Sequence, residues 1–170
     1  MNISLRPWNL SDLENLVAFA NNPNIARNLT DQFPSPYTKE NGLKFIEFAN
    51  SGNPLRIFAI DMDGTAIGGI GLHPQSDIER KNAELGYWLG EPFWGKGIIS
   101  QVVPKMVDYG FLNLDIHRIF ARPFGRNIAS QKVLEKSGFI LEARLKNAFY
   151  KNEVFEDALI YSRLKTRGSN

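Results

Sequence analysis

The segment Gly86 to Ser100, GYWLGEPFWGKGIIS, has the residue types and spacing that suit the binding of a phosphate group. It begins with the apolar pattern of a buried strand and ends like the start of a helix, with Gly95-Lys96-Gly97 in between. A helix start presents unpaired backbone N–H groups and the positive end of the helix dipole, which together bind anions. Glycine allows the backbone to approach a ligand closely, and Lys96 adds a positive charge. The segment therefore predicts a pyrophosphate site.

The two glycines also suit a tight turn that binds nothing, and this alternative stays open from the sequence alone. Known nucleotide-binding loops fit less well. The chain has no G-x-x-x-x-G-K-[ST] pattern for a triphosphate, and residue 100 is serine where the G-x-G-x-x-G pattern of a dinucleotide site requires glycine.

Asn127 and Ser130 form a second group of polar residues with a defined spacing. They lie one helical turn apart on the same side of a predicted helix in RPFGRNIASQKVLEKSGF. Each residue alone is typical of a helix cap or a first helical turn. The strand before them is predicted to neighbour the strand that leads to the glycine turn, so the pair can flank a ligand that runs between two strands.

Local signals place these residues on alternating strands and helices. Ser11 and Glu14 have the S-x-x-E spacing of a capping box, Asp63-Gly64 suits a hairpin turn, and Gly138 suits the left-handed position after a helix. Apolar spacing predicts strands near residues 3–7 and at 55–61, 66–72, 83–89, 117–122, 139–149 and 155–164. It predicts helices at 12–20, after Thr38, at 97–114 and from Asn127 to Gly138.

Pro104 lies inside the predicted helix 97–114, where a proline costs roughly 3 kcal/mol. Because the apolar stripe continues past it, one kinked helix is favoured over two separate elements. The order β-α-α-β-β-β-α-β-α-β-β predicts an α+β fold, a mixed sheet with helices on its faces.

Composition excludes several classes of protein. The chain has 170 residues, 43% of them hydrophobic, a net charge of +2 and no cysteine. This predicts a single domain over residues 1–170, without disulfides, thiolate metal sites or a cysteine nucleophile. No basic run suggests nucleic acid, and no apolar segment reaches the roughly 18 residues of a membrane span. MNISLRPWNLSDLEN does not resemble a secretory signal, so a cytoplasmic protein is expected, with no metal.

Taken together, a set of short motifs along nearly the whole chain resembles the GNAT acetyltransferase family, in particular its RimJ/RimL-type branch, which modifies protein N-terminal amines. The motifs are Leu5-Arg6-Pro7-Trp8, Pro34-Ser35-Pro36-Tyr37-Thr38, Gly86-Tyr87-Trp88-Leu89, Trp94-Gly95-Lys96-Gly97, Asn127-x-x-Ser130, Leu134-Glu135-Lys136-x-Gly138-Phe139 and Tyr161-x-x-Leu164-Lys165.

The resemblance implies a twisted, mostly antiparallel sheet of about seven strands. Its two central strands, 83–89 and 117–122, would be parallel and would separate past a bulge near Leu89. Acetyl-coenzyme A would bind there as co-substrate, with its pantetheine arm on the backbone of Trp88 and Leu89. Its pyrophosphate would bind the amides of Trp94, Gly95, Lys96, Gly97 and Ile98.

By the same resemblance, Asn127 contacts the pantetheine arm and Ser130 lies near the sulfur. Two residues depart from the family pattern. Pro92 stands where the general motif has Gln or Arg, which the RimJ/RimL branch tolerates. Leu134 stands where many relatives have a tyrosine thought to protonate the departing thiolate, so Ser130 becomes the candidate for that role.

Direct acetyl transfer to an amine needs a positioned amine, a proton acceptor and a group that polarises the thioester carbonyl. A backbone amide near Leu89 can polarise the carbonyl. Glu84 is the candidate base, directly or through water, and a solvated strand carboxylate is its alternative role. His73 competes for the same role because its ordinary pKa is suitable. His117 is expected only to begin its strand.

The acceptor site is predicted at the loop from Phe33 to Tyr37 and at residues 74–82, because the first of these regions caps the site in similar proteins. A protein N-terminal amine is the favoured acceptor, and a polyamine or an aminoglycoside is the alternative. A non-catalytic acyl-coenzyme A-binding module is the alternative from another class. The chain is expected to be a monomer or a homodimer.

Overall fold

A seven-stranded mixed sheet runs through the part of the chain that the computed structural model describes, residues 2–166. The strands are β1 (Ile3–Arg6), β2 (Ile57–Met62), β3 (Thr65–Pro74), β4 (Asn82–Leu89), β5 (Arg118–Ala121), β6 (Ile140–Lys151) and β7 (Val154–Leu164), in the order β1-β2-β3-β4-β5-β7-β6. β4 and β5 pair in parallel, whereas β1 with β2, β2 with β3, β5 with β7 and β6 with β7 pair antiparallel. The predicted mixed sheet with a central parallel pair is confirmed.

Five α-helices connect the strands within residues 2–166. They are α1 (Leu13–Ala20), α2 (Pro23–Ala26), α3 (Lys39–Asn50), α4 (Ile98–Asn113) and α5 (Ile128–Lys136), and short 3-10 turns lie at Leu10–Asp12, Asp77–Glu79 and Glu91–Phe93. Pro104 lies inside α4, which is one helix as predicted. The short helix α2 was not predicted. Asn22 caps it and Pro23 begins it, so the residues that end α1 also start a new turn.

The chain divides into two compact units, each built from two separate stretches. The first unit comprises Met1–Gly71 and Tyr87–Val102, and its core includes Trp8, Leu16, Tyr37, Ile46 and Ala59. The second comprises Leu72–Gly86 and Val103–Asn170. Here α4 packs very closely, because a Cβ atom on Gly110 would lie 2.4 Å from Leu72 Cδ1 and 3.3 Å from Ile119 Cδ1. A single domain over residues 1–170 stays a prediction.

The predicted capping box at Ser11 and Glu14 is wrong, because the box begins two residues earlier. Asn9 accepts a hydrogen bond from the Ser11 amide at 3.0 Å, and the Asp12 carboxylate accepts one from the Asn9 amide at 2.9 Å. The residues between Asn9 and α1 form a 3-10 turn, so the first helical turn starts before the residue that the S-x-x-E spacing indicated. Asparagine is as good an N-cap as serine, which explains the error.

Arg6 holds two buried carboxylates together at the start of the chain. Its guanidinium donates to both oxygens of Asp12 at 2.7 and 2.8 Å, and its Nε donates to Asp61 at 2.8 Å. The two aspartates are 5% and 6% exposed. Burial by itself raises the pKa of Asp12, but hydrogen bonds from Arg6 and the Asn9 amide outweigh it and lower that pKa below its ordinary value. Arg6 thus fixes β1 to β2 and to the turn before α1.

Local turns follow the sequence closely. Asp63 and Gly64 have φ of 50° and 91° in the β2–β3 hairpin, and Gly138 has φ of 80° after α5. The last hairpin has its strands at Ile140–Lys151 and Val154–Leu164, so the turn is shorter than predicted.

Within residues 2–166, no helix has the length and apolar character needed to cross a membrane. The same residues contain no group of three or more His, Asp or Glu side chains that could hold a metal ion.

Replacing Arg6 with glutamine should destabilise the protein by about 3 kcal/mol, because two buried carboxylates lose their cation. The loss should shrink as the pH falls through the lowered pKa of Asp12, since protonated aspartate no longer needs the charge. Urea unfolding at pH 7 and pH 3 measures both effects. Lys44→Gln, which breaks the fully exposed pair with Glu40, is the control and should leave the unfolding midpoint unchanged. Equal midpoints for Arg6→Gln and Lys44→Gln would contradict this account.

Candidate active site

The turn Gly95-Lys96-Gly97 presents exposed backbone immediately before α4, whereas the amide of the preceding residue, Trp94, already donates to the Glu91 carbonyl at 3.1 Å. Gly95 and Gly97 have φ of 73° and 71°, values that favour glycine, and a Cβ atom on either would meet nothing within 4 Å. Gly95, Lys96 and Gly97 are exposed, and their amides have no hydrogen-bond partner among residues 2–166. Ile98 is buried and begins α4. Free amides at a helix start form a ready anion site.

Contacts within the first unit fix the turn that leads to this segment. The Trp94 indole donates to the Leu89 carbonyl at 2.7 Å, and the rings of Phe93 and Phe19 meet edge to face with centroids 5.2 Å apart. Lys96 places its ammonium 5.5 Å from the centre of the Phe93 ring. The Leu89 carbonyl therefore already has one partner, and the pantetheine contacts of Trp88 and Leu89 stay predictions.

Two asparagines of the α1–α2 connection hold Glu91 in the same turn. Asn22 donates to the carboxylate at 2.6 Å, and Asn24 donates to it at 3.1 Å. Hydrogen bonds from Asn22 and then Asn24 lower the pKa of Glu91. These hydrogen bonds to Glu91 were not predicted from the sequence. Its residues are ordinary helix-capping types locally, and only the fold brings them to Glu91.

Phe33, Tyr37 and Trp88 lie in one aromatic cluster of the first unit. The Phe33 ring centre is 5.2 Å from that of Tyr37 and 6.0 Å from that of Trp88. Tyr37 is 5% exposed, and burial raises the pKa of its phenol to about 12. The structure thus brings the two predicted acceptor residues next to a predicted cofactor residue. Buried Trp8 packs in the same core, and its indole N–H has no partner within residues 2–166.

In the second unit, Glu84 lies at the last described pair of the parallel ladder. β4 and β5 pair from Asn82 with Arg118 to Glu84 with Phe120, although β4 itself runs on to Leu89. Both oxygens of Glu84 accept hydrogen bonds from Arg122, each at 3.0 Å. The hydrogen bond to Glu84 raises the pKa of Arg122. Arg122 was not among the predicted site residues, because the register of a parallel pair cannot be read from either strand alone.

His73 lies beside the same strand. A Cβ atom on Gly86 would be 3.6 Å from His73 Nε2, so the imidazole packs over the bare backbone of β4. Glu84 and Gly86 are two residues apart and therefore share one face of the strand. The structure brings the two candidate bases, Glu84 and His73, to the same region of the second unit.

Asn127 and Ser130 meet at the start of α5. The Asn127 side chain accepts a hydrogen bond from the Ser130 amide at 3.2 Å, so Asn127 caps the helix as predicted. Both residues are partly exposed. Leu134, one turn further along α5, is fully buried in the core. It therefore replaces the family's tyrosine with a packing residue.

The phenol of Tyr37 should ionise near pH 12 instead of near pH 10, because burial disfavours the phenolate. The stability that this provides is complete below pH 10 and is lost as the pH rises through 12, since the unfolded chain loses its proton first. Absorbance at the phenolate wavelength, compared between the wild type and Tyr37→Phe, measures the titration. Ionisation of Tyr37 near pH 10 in the folded protein would contradict its burial.

A family model described as an acetyltransferase (GNAT) domain matches residues 2–140. YdaF of Bacillus subtilis (strain 168), named as a ribosomal N-acetyltransferase, is 37% identical over 103 residues, which cover 61% of this chain and 56% of YdaF. The ribosomal-protein-serine acetyltransferase of Escherichia coli (strain K12) is 32% identical over 109 residues, covering 64% of this chain and 60% of that protein. The chain therefore spans little more than half the length of these two relatives.

A more distant relative, the spermidine N(1)-acetyltransferase of Escherichia coli (strain K12), is 24% identical over 163 residues, covering 92% of this chain and 83% of that protein. Among solved structures, the microcin C7 self immunity acetyltransferase MccE in complex with acetyl-CoA and AMP matches with a TM-score of 0.81 and 27% identity. The match covers 96% of this chain and 92% of that chain. The match of the family model over most of the chain, together with the parallel pair and the free amides before α4, shows that this chain belongs to the GNAT acetyltransferase family.

Proposed function

We propose that this chain transfers the acetyl group of acetyl-coenzyme A directly to a primary amine, and that the acceptor is a protein N-terminal α-amine. The observation that carries the proposal is the row of free backbone amides at Gly95, Lys96 and Gly97 before α4. Such a row suits the negatively charged diphosphate of coenzyme A. The solved relative MccE, which is in complex with acetyl-CoA, supports the choice of ligand.

The residues present fit the cofactor. The amides of Gly95, Lys96, Gly97 and Ile98 would bind the diphosphate, whereas the Trp94 amide, which was also predicted to bind it, already donates to the Glu91 carbonyl at 3.1 Å. The Lys96 ammonium lies on the same exposed turn. The backbone of Trp88 and Leu89 would bind the pantetheine arm. The Asn127 oxygen is used in the cap, which leaves its amide nitrogen as a donor for the same arm. Ser130 would lie near the sulfur.

In the reaction, the neutral amine nitrogen bonds to the acetyl carbon, the carbon–sulfur bond breaks, and the amine loses a proton. Glu84 would accept that proton, directly or through water, and Ser130 would pass a proton from water to the departing thiolate, so that its own hydroxyl is restored. A backbone amide near Leu89 would polarise the carbonyl. Arg122 occupies both oxygens of Glu84 and keeps the carboxylate in one orientation. His73 is the alternative base.

Phe33 and Tyr37 would form a wall of the acceptor site, next to Trp88. A protein N-terminus is preferred as acceptor because two relatives are named for ribosomal proteins. The relative named for spermidine supports a polyamine as the second candidate. We place the protein in the cytoplasm, because a chain without cysteine suits a reducing compartment.

Coenzyme A release should be detected with a panel of N-terminal peptides, and Glu84→Gln should lower kcat by roughly a hundredfold or more, as expected for loss of a general base. The affinity for acetyl-coenzyme A should not change, because Glu84 is not among the residues proposed to bind it. Stopped assays and calorimetry measure the two quantities. The matched control is Glu142→Gln, which alters another strand carboxylate paired with an arginine, Arg118, and should keep full activity.

Three results would count against the proposal. Acetyl-coenzyme A at about one hundred times its dissociation constant should stabilise the fold by about 2.7 kcal/mol, so an unchanged melting temperature would exclude cofactor binding. Binding without turnover on any peptide, polyamine or aminoglycoside would indicate a non-catalytic module instead. Full activity of Glu84→Gln would reject Glu84 as the base and leave His73 as the candidate.

A further inference from the structure

Glycine in the interior of a strand usually lies where there is no room for a side chain. Three of the strand glycines within residues 2–166 lie at such positions. A Cβ atom on Gly68 would lie 2.4 Å from the Trp88 carbonyl oxygen, and one on Gly69 would lie 2.8 Å from the Trp88 indole nitrogen. On Gly71, it would lie 3.0 Å from Ile57. All three belong to β3. Close packing therefore disfavours a side chain at each of these positions.

Gly86 in β4 is different, because no close contact excludes a side chain there. Its φ does not lie in the left-handed region, so other residues can adopt its conformation. A Cβ atom there would meet only the His73 ring, at 3.6 Å from Nε2 and 3.9 Å from Cδ2, which is ordinary van der Waals contact. Glycine nevertheless weakens a strand, by roughly 0.5 to 1 kcal/mol relative to alanine. Neither the backbone nor the packing of the protein explains this residue.

The position of Gly86 suggests why this residue is glycine. Side chains alternate along a strand, so Gly86 faces the same side of β4 as Glu84, two residues earlier. The His73 imidazole lies over the Gly86 backbone on that side. The bare position is therefore flanked by the two groups of the second unit that were predicted to take a proton from the acceptor. A glycine in a strand often marks a place where a ligand approaches closely.

We propose that Gly86 keeps open the space in which the acceptor's primary amine sits, beside the Glu84 carboxylate and the His73 imidazole. This proposal rests on the proposed acetyltransferase function and adds a specificity-determining residue to it. A side chain at position 86 would occupy that space and push the amine away from its proton acceptor.

Gly86→Ala and Gly86→Val test the proposal. Gly86→Ala should melt at or above the wild-type temperature, because the strand accepts a Cβ atom there and alanine weakens a strand less than glycine does. The dissociation constants of both variants for acetyl-coenzyme A should stay within about twofold of the wild type. The value of kcat/KM for the acceptor should fall about tenfold or more in Gly86→Ala and further in Gly86→Val. A single added carbon in a closely fitting site has an effect of about this size.

Gly71→Ala is the matched control. Its Cβ atom would press on Ile57, so its melting temperature should fall while kcat/KM, measured well below that temperature, stays at the wild-type value. Unchanged kcat/KM in Gly86→Ala would overturn the proposal, and so would a large loss of stability, which would show that packing requires the glycine. If the wild type releases no coenzyme A with any acceptor, the proposed function itself fails and the role of Gly86 fails with it. Activity in the wild type with full activity in Gly86→Ala rejects only the role of Gly86.

Discussion

Free backbone amides at the start of α4 are the feature on which the proposed chemistry depends. A peptide N–H that has no partner at the end of a helix is satisfied by water or by a ligand. Here the amides of Gly95, Lys96 and Gly97 have no partner within residues 2–166, and both glycines have positive φ. The helix dipole adds to the attraction for an anion. Much of the surrounding sequence keeps this turn in one conformation. The Trp94 indole donates a hydrogen bond to the Leu89 carbonyl, and the Phe93 ring packs on Phe19. Asn22 and Asn24 donate hydrogen bonds to the carboxylate of Glu91.

A second arrangement, in the other compact unit, combines a held carboxylate with bare backbone. Glu84 accepts both of its hydrogen bonds from Arg122, at the last described pair of the β4–β5 ladder. The two hydrogen bonds from Arg122 hold the carboxylate in one orientation. The imidazole of His73 lies near Gly86 on the same side of β4. The chain thus places charge, a titratable ring and open space together.

The sequence predicts the local features well because their causes lie within a few residues. Positive φ at Asp63-Gly64 and at Gly138 follows from turn and helix-end preferences, and Asn127 caps α5 because its side chain reaches the amide three residues ahead. The capping box of the first helical turn was misplaced because two neighbouring residues, Asn9 and Ser11, are equally good caps. Arg6 settles the choice by binding Asp12, and that preference is not visible in the local pattern.

Contacts between distant segments could not be predicted in the same way. The pairing of Glu84 with Arg122 depends on the register of a parallel ladder, and the tether from Asn22 and Asn24 to Glu91 depends on the fold of the first unit. The role of Gly86 could be inferred only from its neighbours in the fold. In the sequence LGYWL, the glycine is equally consistent with a bulge or a packing contact. The sequence thus predicts which residue types take part, and the fold determines their partners.

The most direct test of the central claim is a two-dimensional amide spectrum of the labelled protein, recorded while acetyl-coenzyme A is added. Glycine amides are well separated in such spectra, so Gly95 and Gly97 can be followed individually. The account predicts that the amides of Gly95, Lys96 and Gly97 show the largest downfield shifts, as expected when an amide begins to donate to a phosphate oxygen. Saturable binding that leaves these three amides unshifted would contradict it.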